Sequence, residues 1–115
     1  MSFTQSKYIV IWGCNSISTN IHHWHVVKDA QRHGAKVVVI DPYRSRTAKE
    51  ADWHIMPKPG TDGALAMALI HCIINGNLID RDYVESHTIG FDQLKERAGP
   101  FTPEYAEQIC GVPAA

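Results

Sequence analysis

Two short apolar runs rich in β-branched residues constrain the fold of this chain more than any other feature. Residues 8–12 read Y-I-V-I-W, residues 36–40 read K-V-V-V-I, and a turn-forming residue follows each run. Continuous runs of this kind are typical of strands that are buried on both faces of a parallel sheet. The sequence therefore predicts two parallel strands at these positions.

The segment between these two strands has the pattern of a helix that buries one side. Within residues 21–33, apolar Trp24, Val27 and Ala30 recur at helical spacing, and Gly34 follows as a C-terminal cap. The residues before this helix predict a loop, since all but one of residues 15–20 are polar, namely Asn15, Ser16, Ser18, Thr19 and Asn20. A strand, a helix and a second strand in this order predict the right-handed crossover unit of a parallel sheet.

A short helix and a third strand are expected next. Residues 47–51 have helical character, and residues 53–56 form a short apolar run. The prolines within residues 57–60 end this run, because proline cannot donate the hydrogen bond that continues a strand.

The rest of the chain is predicted to be helical. Thr61 or Asp62 is positioned to cap a helix over residues 63–75, which is apolar nearly all round and so is expected to be enclosed on several sides. Three short amphipathic helices follow, over residues 80–87, 91–98 and 102–108. We therefore predict a single α/β domain over residues 1–115, in which helices flank a short parallel sheet in three layers and small helices follow.

The charge and cysteine content argue against several classes of function. The net charge is −1 without a block of like charges, whereas a nucleic-acid or anionic-membrane surface needs a basic patch. The opening residues are polar and the first apolar run is too short to cross a bilayer, so we expect neither a signal peptide nor membrane insertion.

Cys14, Cys72 and Cys110 lack the C-x-x-C spacing of zinc, iron–sulfur or redox sites. The sequence assigns no compartment, and the cytoplasm is the default for unpaired cysteines.

Three loops follow the three predicted strands, and ligands of open parallel sheets bind beside such loops. They comprise residues 13–15, 41–44 and 57–62. Gly13 allows the backbone to approach a phosphate, beside the positive N-terminal end of the following helix. Asp41 stands where dinucleotide-binding folds hold ribose hydroxyls. Asp62 has two oxygens that can pair with the adjacent N1–H and N2–H donors of guanine, so the loops together indicate a nucleotide.

Each of these residues also has a purely structural interpretation. Gly13 can simply end its strand, and Asp41 before a proline is a common opener of a turn. Asp62 can serve as a helix cap, a role that does not conflict with binding a base. Arg44 and Arg46 can be solvated charges.

The string T-N-I-H-H-W-H, residues 19–25, has the composition of a metal site without its geometry. His22, His23 and His25 are one, two and three residues apart at the start of the predicted helix, so no two of them form the i, i+4 pair of a helical metal site. We expect no metal here. Trp24 is expected to pack inward with Val27, and the histidines are expected to lie at the rim.

Five separated strings carry a specific resemblance. They are I-V-I-W-G-C-N-S (9–16), G-A-K-V-V-V-I-D-P-Y-R-S-R-T-A (34–48), A-D-W-H-I-M-P-K-P-G-T-D-G-A-L-A-M-A-L (51–69), D-R-D-Y-V-E-S-H-T-I-G-F-D (80–92) and T-P-E-Y-A-E-Q-I-C-G-V-P-A (102–114). In this order they closely resemble the molybdopterin oxidoreductases, the group that contains formate dehydrogenases, dimethyl sulfoxide reductases and nitrate reductases. The resemblance covers nearly the whole chain.

The resemblance implies a Rossmann-like domain of a larger catalytic subunit, which holds one of two molybdopterin guanine dinucleotides. In such subunits the W-G-x-N turn approaches the pyrophosphate, the D-P element lies along the guanosine and the P-G-T-D element meets the guanine. The residues implied to bind the cofactor are, in chain order, Gly13, Cys14, Asn15, Asp41, Pro42, Tyr43, Arg44, Pro59, Gly60 and Asp62. Several relatives place an arginine directly after the D-P proline, whereas here Tyr43 stands there and Arg44 follows, so the ligand contact can belong to either.

Two parts of such a subunit have no counterpart in this sequence. Neither a residue that coordinates molybdenum nor the cysteine cluster of an iron–sulfur centre is recognisable, so we predict no catalytic residue and no metal ligand within the chain. Molybdenum and an iron–sulfur cluster are expected only through other domains of the subunit. Those domains are the expected partners, an iron–sulfur electron-transfer subunit is a further candidate, and the chain alone is expected to be inactive.

One alternative comes from a different class of function. The same α/β unit can serve as a free-standing module that binds a nucleotide or a protein and carries out no redox chemistry. The series of motifs that continues to T-P-E-Y and G-V-P-A near the end of the chain favours the oxidoreductase interpretation.

Overall fold

A computed structural model describes residues 2–114. The elements in chain order, after a 3-10 turn at Ser2–Gln5, are β1 (Tyr8–Trp12), α1 (Ser16–Thr19), α2 (Ile21–Arg32), β2 (Lys36–Ile40), α3 (Arg46–Lys49), β3 (Trp53–Ile55), α4 (Asp62–Asn75), α5 (Arg81–His87), α6 (Phe91–Ala98) and α7 (Pro103–Cys110). They belong to two compact units, Met1–Met56 with the strands and Pro57–Ala115 with α4 to α7. The single domain over the whole chain stays a prediction.

The first unit is built on a parallel sheet with the strand order β1-β2-β3. The register places Ile9 beside Val37 in the first pair and Ile40 beside Ile55 in the second. The predicted α/β class and the parallel sheet flanked by helices are therefore confirmed. Helix α3 and strand β3 are slightly shorter than the sequence predicted, because each ends before the turn that follows it.

The core of the first unit lies on one face of this sheet. Sheet and helix side chains form it together, namely Ile9, Ile11, Val37 and Val39 with Trp24, Val27, Ala30, Ala35 and Ala48. The helical spacing of the apolar residues in α2 thus identified the buried side of that helix correctly. Trp24 packs inward in the same cluster as Val27, as predicted.

Strand β1 departs from the expected burial on both faces. Ile9 and Ile11 are buried, but the alternate side chains Tyr8, Val10 and Trp12 are exposed, Val10 by 51%. The prediction was wrong for β1 because this strand lies at the edge of the sheet and the core covers one of its faces. Strand β2 lies between two neighbours and is buried from residue 37 to residue 40, as predicted.

Residues 15–20 are not the plain loop that their polarity predicted. The carbonyl of Asn15 accepts hydrogen bonds from the N–H groups of Ser18 (2.9 Å) and Thr19 (3.0 Å), which wind α1 into one turn. Asn20 then caps α2, since its Oδ1 accepts from the N–H of His23 at 3.3 Å. Short polar side chains that bond locally to the backbone favour such turns as readily as open loops.

The second unit is a cluster of helices in which α4 packs against α6 and α7. Leu65 and Ala68 of α4 are buried, but Leu69 and Ile73 are 42% and 43% exposed. The expected enclosure of α4 is therefore wrong for the described residues, because two short helices cover only part of its apolar surface. The three small helices match their predicted positions within two residues. Across residues 2–114, no helix is long and apolar enough to cross a membrane.

Candidate functional site

The loop after β1 begins with an exposed stretch of backbone. Gly13 has φ +62°, a conformation that residues with a Cβ rarely adopt, and its N–H donates a 2.9 Å hydrogen bond to the carbonyl of Ile40 in β2. A Cβ at Gly13 would meet no heavy atom within 4 Å. The backbone conformation therefore favours glycine here, and the space beside it is open to a ligand.

Asn15 is fixed by a side chain from α3. The hydroxyl of Thr47 donates a 2.9 Å hydrogen bond to Oδ1 of Asn15 and accepts one of 3.1 Å from the N–H of Ile17. Thr47 is fully buried, whereas Asn15 is half-buried. These bonds join the loop after β1 to the segment after β2 within the first unit.

Cys14 and His23 are linked through a buried serine. The hydroxyl of Ser16 lies 3.4 Å from Sγ of Cys14 and 3.2 Å from Nδ1 of His23. His23 is half-buried, and its neighbours His22 and His25 are exposed, as expected of histidines at the rim. Within residues 2–114, no three His, Cys, Asp or Glu side chains are grouped so that they could hold a metal ion.

Asp41 opens a turn at the end of β2. Its Oδ1 accepts a 2.8 Å hydrogen bond from the N–H of Tyr43, its N–H donates to the carbonyl of Ile55 at 3.1 Å, and its carbonyl lies 2.8 Å from Nε2 of His54. The half-buried Asp41 carboxylate has a second oxygen, Oδ2, without a hydrogen-bond partner in the part of the chain that is described. The structural role of Asp41 in the turn thus leaves one oxygen for a ligand.

The residues that follow Asp41 are open to solvent. Pro42, Tyr43 and Arg44 are exposed, Tyr43 by 72%. Ser45 is buried, and its hydroxyl caps α3 by accepting a 3.2 Å hydrogen bond from the N–H of Ala48. Both Tyr43 and Arg44 are therefore accessible to a ligand, and the helix that follows them is capped by Ser45.

The loop with the P-G-T-D element belongs to the second unit. The N–H of Lys58 donates a 2.8 Å hydrogen bond to the carbonyl of Cys110, and both the hydroxyl and the N–H of Thr61 bond to the carbonyl of Lys58, at 2.6 and 3.2 Å. Gly60 has φ +79°, and Pro59 and Gly60 are exposed. Thr61 precedes α4 without capping it through its side chain, and the half-buried Asp62 is the first residue of the helix.

The structure brings together the two loops of the first unit. Gly13 is hydrogen bonded to the end of β2, and Asn15 is hydrogen bonded to Thr47 behind the D-P element. The shared crevice of Asp41 and Asp62 stays a prediction, since Asp62 belongs to the second unit. Sequence reasoning did not identify Thr47 as part of the site. A hydroxyl residue among the buried positions of a short helix was the available signal.

Comparison with known proteins assigns the chain to a family. The model of the family described as "Molybdopterin oxidoreductase" matches residues 1–101. The chain belongs to this family. The molybdopterin oxidoreductases were also the family that its sequence motifs resemble, so that expectation is confirmed.

Individual relatives agree with this assignment. The probable oxidoreductase YoaE of Bacillus subtilis is 39% identical over 107 residues, which are 93% of this chain and 16% of that protein. The F420-dependent formate dehydrogenase subunit alpha of Methanocaldococcus jannaschii is 43% identical over 90% of this chain and 16% of its own length. Among solved structures, the acetylene hydratase from Pelobacter acetylenicus matches with a TM-score of 0.88 and 34% identity, covering 98% of this chain and 16% of that one. The chain thus spans about one sixth of the length of these family members.

Proposed function

We propose that this chain forms one wall of the site for a molybdopterin guanine dinucleotide in a molybdenum-dependent oxidoreductase. The observation that carries the proposal is the junction of two loops at the carboxyl ends of β1 and β2, held by the bond between Thr47 and Asn15. Ligands of open parallel sheets bind at this end of the strands. Membership of the molybdopterin oxidoreductase family supports the choice of cofactor.

The groups exposed in these loops fit the parts of such a dinucleotide. Gly13 leaves open space for a pyrophosphate, and Oδ2 of Asp41 is available as an acceptor for ribose hydroxyls. Cys14 and Asn15 adjoin the pyrophosphate in this proposal. Asp62 pairs with the two donors of the guanine edge.

The remaining residues of the proposed site are those that shape the two outer loops. They are Pro42, Tyr43 and Arg44 along the guanosine, with Pro59 and Gly60 beside the guanine. When bound, the cofactor supplies the molybdenum centre at which oxidation and reduction occur. The residues of this chain bind and orient the nucleotide end, and none of them is proposed to take part in the chemistry.

Other parts of a larger catalytic subunit complete the enzyme in this proposal. They supply the metal ligand, the second dinucleotide site and any iron–sulfur cluster, and an iron–sulfur electron-transfer subunit is the proposed external partner. The share of about 16% that the chain covers in its relatives supports this division of labour. We expect no oxidoreductase activity from the 115-residue chain alone.

Nucleotide binding by the purified chain tests this proposal. Isothermal titration calorimetry with GDP is expected to give weak but saturable binding, and ADP is expected to bind more weakly. Equal affinity for the two nucleotides would contradict guanine recognition. Absence of binding to either nucleotide, by a chain shown to be folded from its circular dichroism and melting transition, would overturn the proposed site.

A further inference from the structure

Thr47 is a polar residue whose side chain is shielded from solvent. It is fully buried in α3, so both hydrogen-bonding functions of its hydroxyl must be satisfied inside the protein. Two partners are present, the N–H of Ile17 and Oδ1 of Asn15. Both partners lie in the loop and short helix that follow β1, more than 25 residues earlier in the chain.

The direction of these two hydrogen bonds follows from the chemistry of the groups. A backbone N–H can only donate, so the Thr47 oxygen accepts from Ile17 at 3.1 Å. The single hydroxyl proton then needs an acceptor, and Oδ1 of Asn15 lies 2.9 Å away. The opposite orientation of the Asn15 amide would leave the buried proton without an acceptor, which is costly.

The orientation of the amide has a consequence for the other half of Asn15. The side-chain NH₂ group has no hydrogen-bond partner in the part of the chain that is described, and Asn15 is half-buried rather than enclosed. The backbone carbonyl of Asn15 is occupied by the N–H groups of Ser18 and Thr19 and by the Thr19 hydroxyl. Asn15 is therefore held at both its backbone and its Oδ1, and its NH₂ is the group that remains for a ligand.

We infer that Thr47 is a positioning residue, which orients the Asn15 amide so that its NH₂ donates to a phosphate oxygen of the bound nucleotide. This inference rests on the proposed function. An NH₂ donor suits an anionic oxygen, and hydrogen bonds with one charged partner are the stronger ones. Thr47 does not contact the ligand. It acts through Asn15, because its hydroxyl decides which end of that amide faces outward.

A double-mutant cycle on GDP binding tests the inference. Thr47→Val keeps the shape of the side chain and removes the hydroxyl, so GDP affinity is expected to fall about tenfold. Thr47→Ser retains the hydroxyl and is expected to bind GDP as the wild type does. In an Asn15→Ala background, Thr47→Val is expected to cause no further loss. Equal losses in both backgrounds would overturn the inference, because they would mean that Thr47 acts through general stability.

A second variant keeps the test decisive if Thr47→Val does not fold. Asn15→Asp retains an acceptor for the Thr47 hydroxyl, but it replaces the outward NH₂ with a carboxylate oxygen that repels phosphate. We expect a melting temperature near that of the wild type and a loss of GDP binding of at least tenfold. Unchanged GDP binding in Asn15→Asp would contradict the inference. A folded wild-type chain that binds no GDP would overturn the proposed function and this inference together. Wild-type GDP binding with an unaffected Asn15→Asp variant would overturn the inference and the proposed pyrophosphate contact of Asn15, and would leave the rest of the proposed site standing.

Discussion

The N–H of Tyr43 donates a 2.8 Å hydrogen bond to Oδ1 of Asp41, and this bond closes the turn at the end of β2. Aspartate side chains commonly accept a hydrogen bond from the backbone N–H two residues ahead, and such a bond organises a turn. In this turn, Pro42 lies between the two partners. Only one carboxylate oxygen is used in this way. The turn and the proposed ribose contact therefore use different atoms of the same side chain, and substitution can separate them.

Substitution of Asp41 by asparagine and by alanine should give two distinct results. Asp41→Asn keeps an oxygen that can accept from Tyr43, so its stability is expected to be close to that of the wild type. Asp41→Ala loses the turn bond and is expected to lose about 0.5–1.5 kcal/mol of unfolding free energy. Both variants lose the charged acceptor at Oδ2, and GDP binding should weaken in both. Chemical denaturation and calorimetry measure the two effects. Full GDP affinity in Asp41→Ala would show that the carboxylate serves the turn alone.

The role of Gly13 can be isolated with a matched glycine. Gly13 and Gly34 have φ angles of +62° and +96°, and in both cases a Cβ would meet no heavy atom within 4 Å. Alanine at either position is expected to lower the free energy of unfolding by about 1–2 kcal/mol, because the left-handed region is unfavourable for residues with a Cβ.

Only the Gly13 substitution should affect the ligand. Its new methyl group occupies the open space beside the loop after β1, whereas Gly34 follows α2 at the amino ends of the strands. Titration with GDP should therefore show a loss for Gly13→Ala and wild-type affinity for Gly34→Ala. Equal GDP affinity in the two variants would contradict a close approach of phosphate at Gly13.

The hydrogen bonds of Asp52 predict that the stability of the protein falls at low pH. Its Oδ2 accepts hydrogen bonds from the N–H of Val37 at 2.8 Å and from Nε2 of Gln31 at 3.0 Å. These two hydrogen bonds lower the pKa of Asp52 below its usual value, and the bond from Val37 has the larger effect. The slight burial of this exposed side chain acts in the opposite direction. A lowered pKa in the folded state gives stability that is present above the unfolded pKa and is lost as the pH falls through the folded value.

The measurement is a pair of melting curves at neutral pH and near pH 3, about one unit below the pKa of an unperturbed aspartate. The wild type should melt at a higher temperature than Asp52→Asn at neutral pH, and the difference should shrink at low pH. Added salt should reduce the effect, since exposed charges are screened. A constant difference between the two proteins at both pH values would contradict the assignment to the Asp52 charge.

The parts of the fold that were predictable are those with a local pattern. Helix α2 was predictable because Trp24, Val27 and Ala30 repeat at helical spacing. Strand β2 was predictable because its continuous apolar run is typical of a strand buried on both faces, and the structure buries it. Strand β1 has an equally apolar sequence, yet Val10 is half exposed. Its burial depends on what covers the other face of an edge strand, and no local pattern contains that information.

The candidate site likewise has parts that a local sequence pattern predicts and parts that depend on the folded chain. Gly13 and Asp41 could be selected from sequence because each follows a strand directly, where ligands of parallel sheets bind. The bond between Asn15 and Thr47 spans 32 residues, so only the folded chain brings the two side chains together. The sequence also left open whether Asp41 forms a turn; its hydrogen bond from Tyr43 shows that it does, and the ligand contact of its other oxygen stays a proposal.

Guanine recognition by Asp62 gives the last prediction. Asp62 is the first residue of α4, where a carboxylate interacts favourably with the helix N-terminus. Asp62→Asn removes this charge at a cost of about 0.3–1 kcal/mol in stability. It also turns one acceptor into a donor facing the donors of guanine, which should cost about 1–3 kcal/mol in GDP binding. ADP has no matching pair of donors, so its affinity should change little.

Asp92, in the first turn of α6, provides the matched control for this substitution. Asp92→Asn should lose similar helix stability and keep the wild-type ratio of GDP to ADP affinity. Calorimetry with both nucleotides, paired with thermal melts of both variants, separates the two roles of Asp62. A preference for GDP that survives in Asp62→Asn would reduce Asp62 to a helix-stabilising residue, because a residue that reads the guanine edge cannot lose an acceptor without losing discrimination.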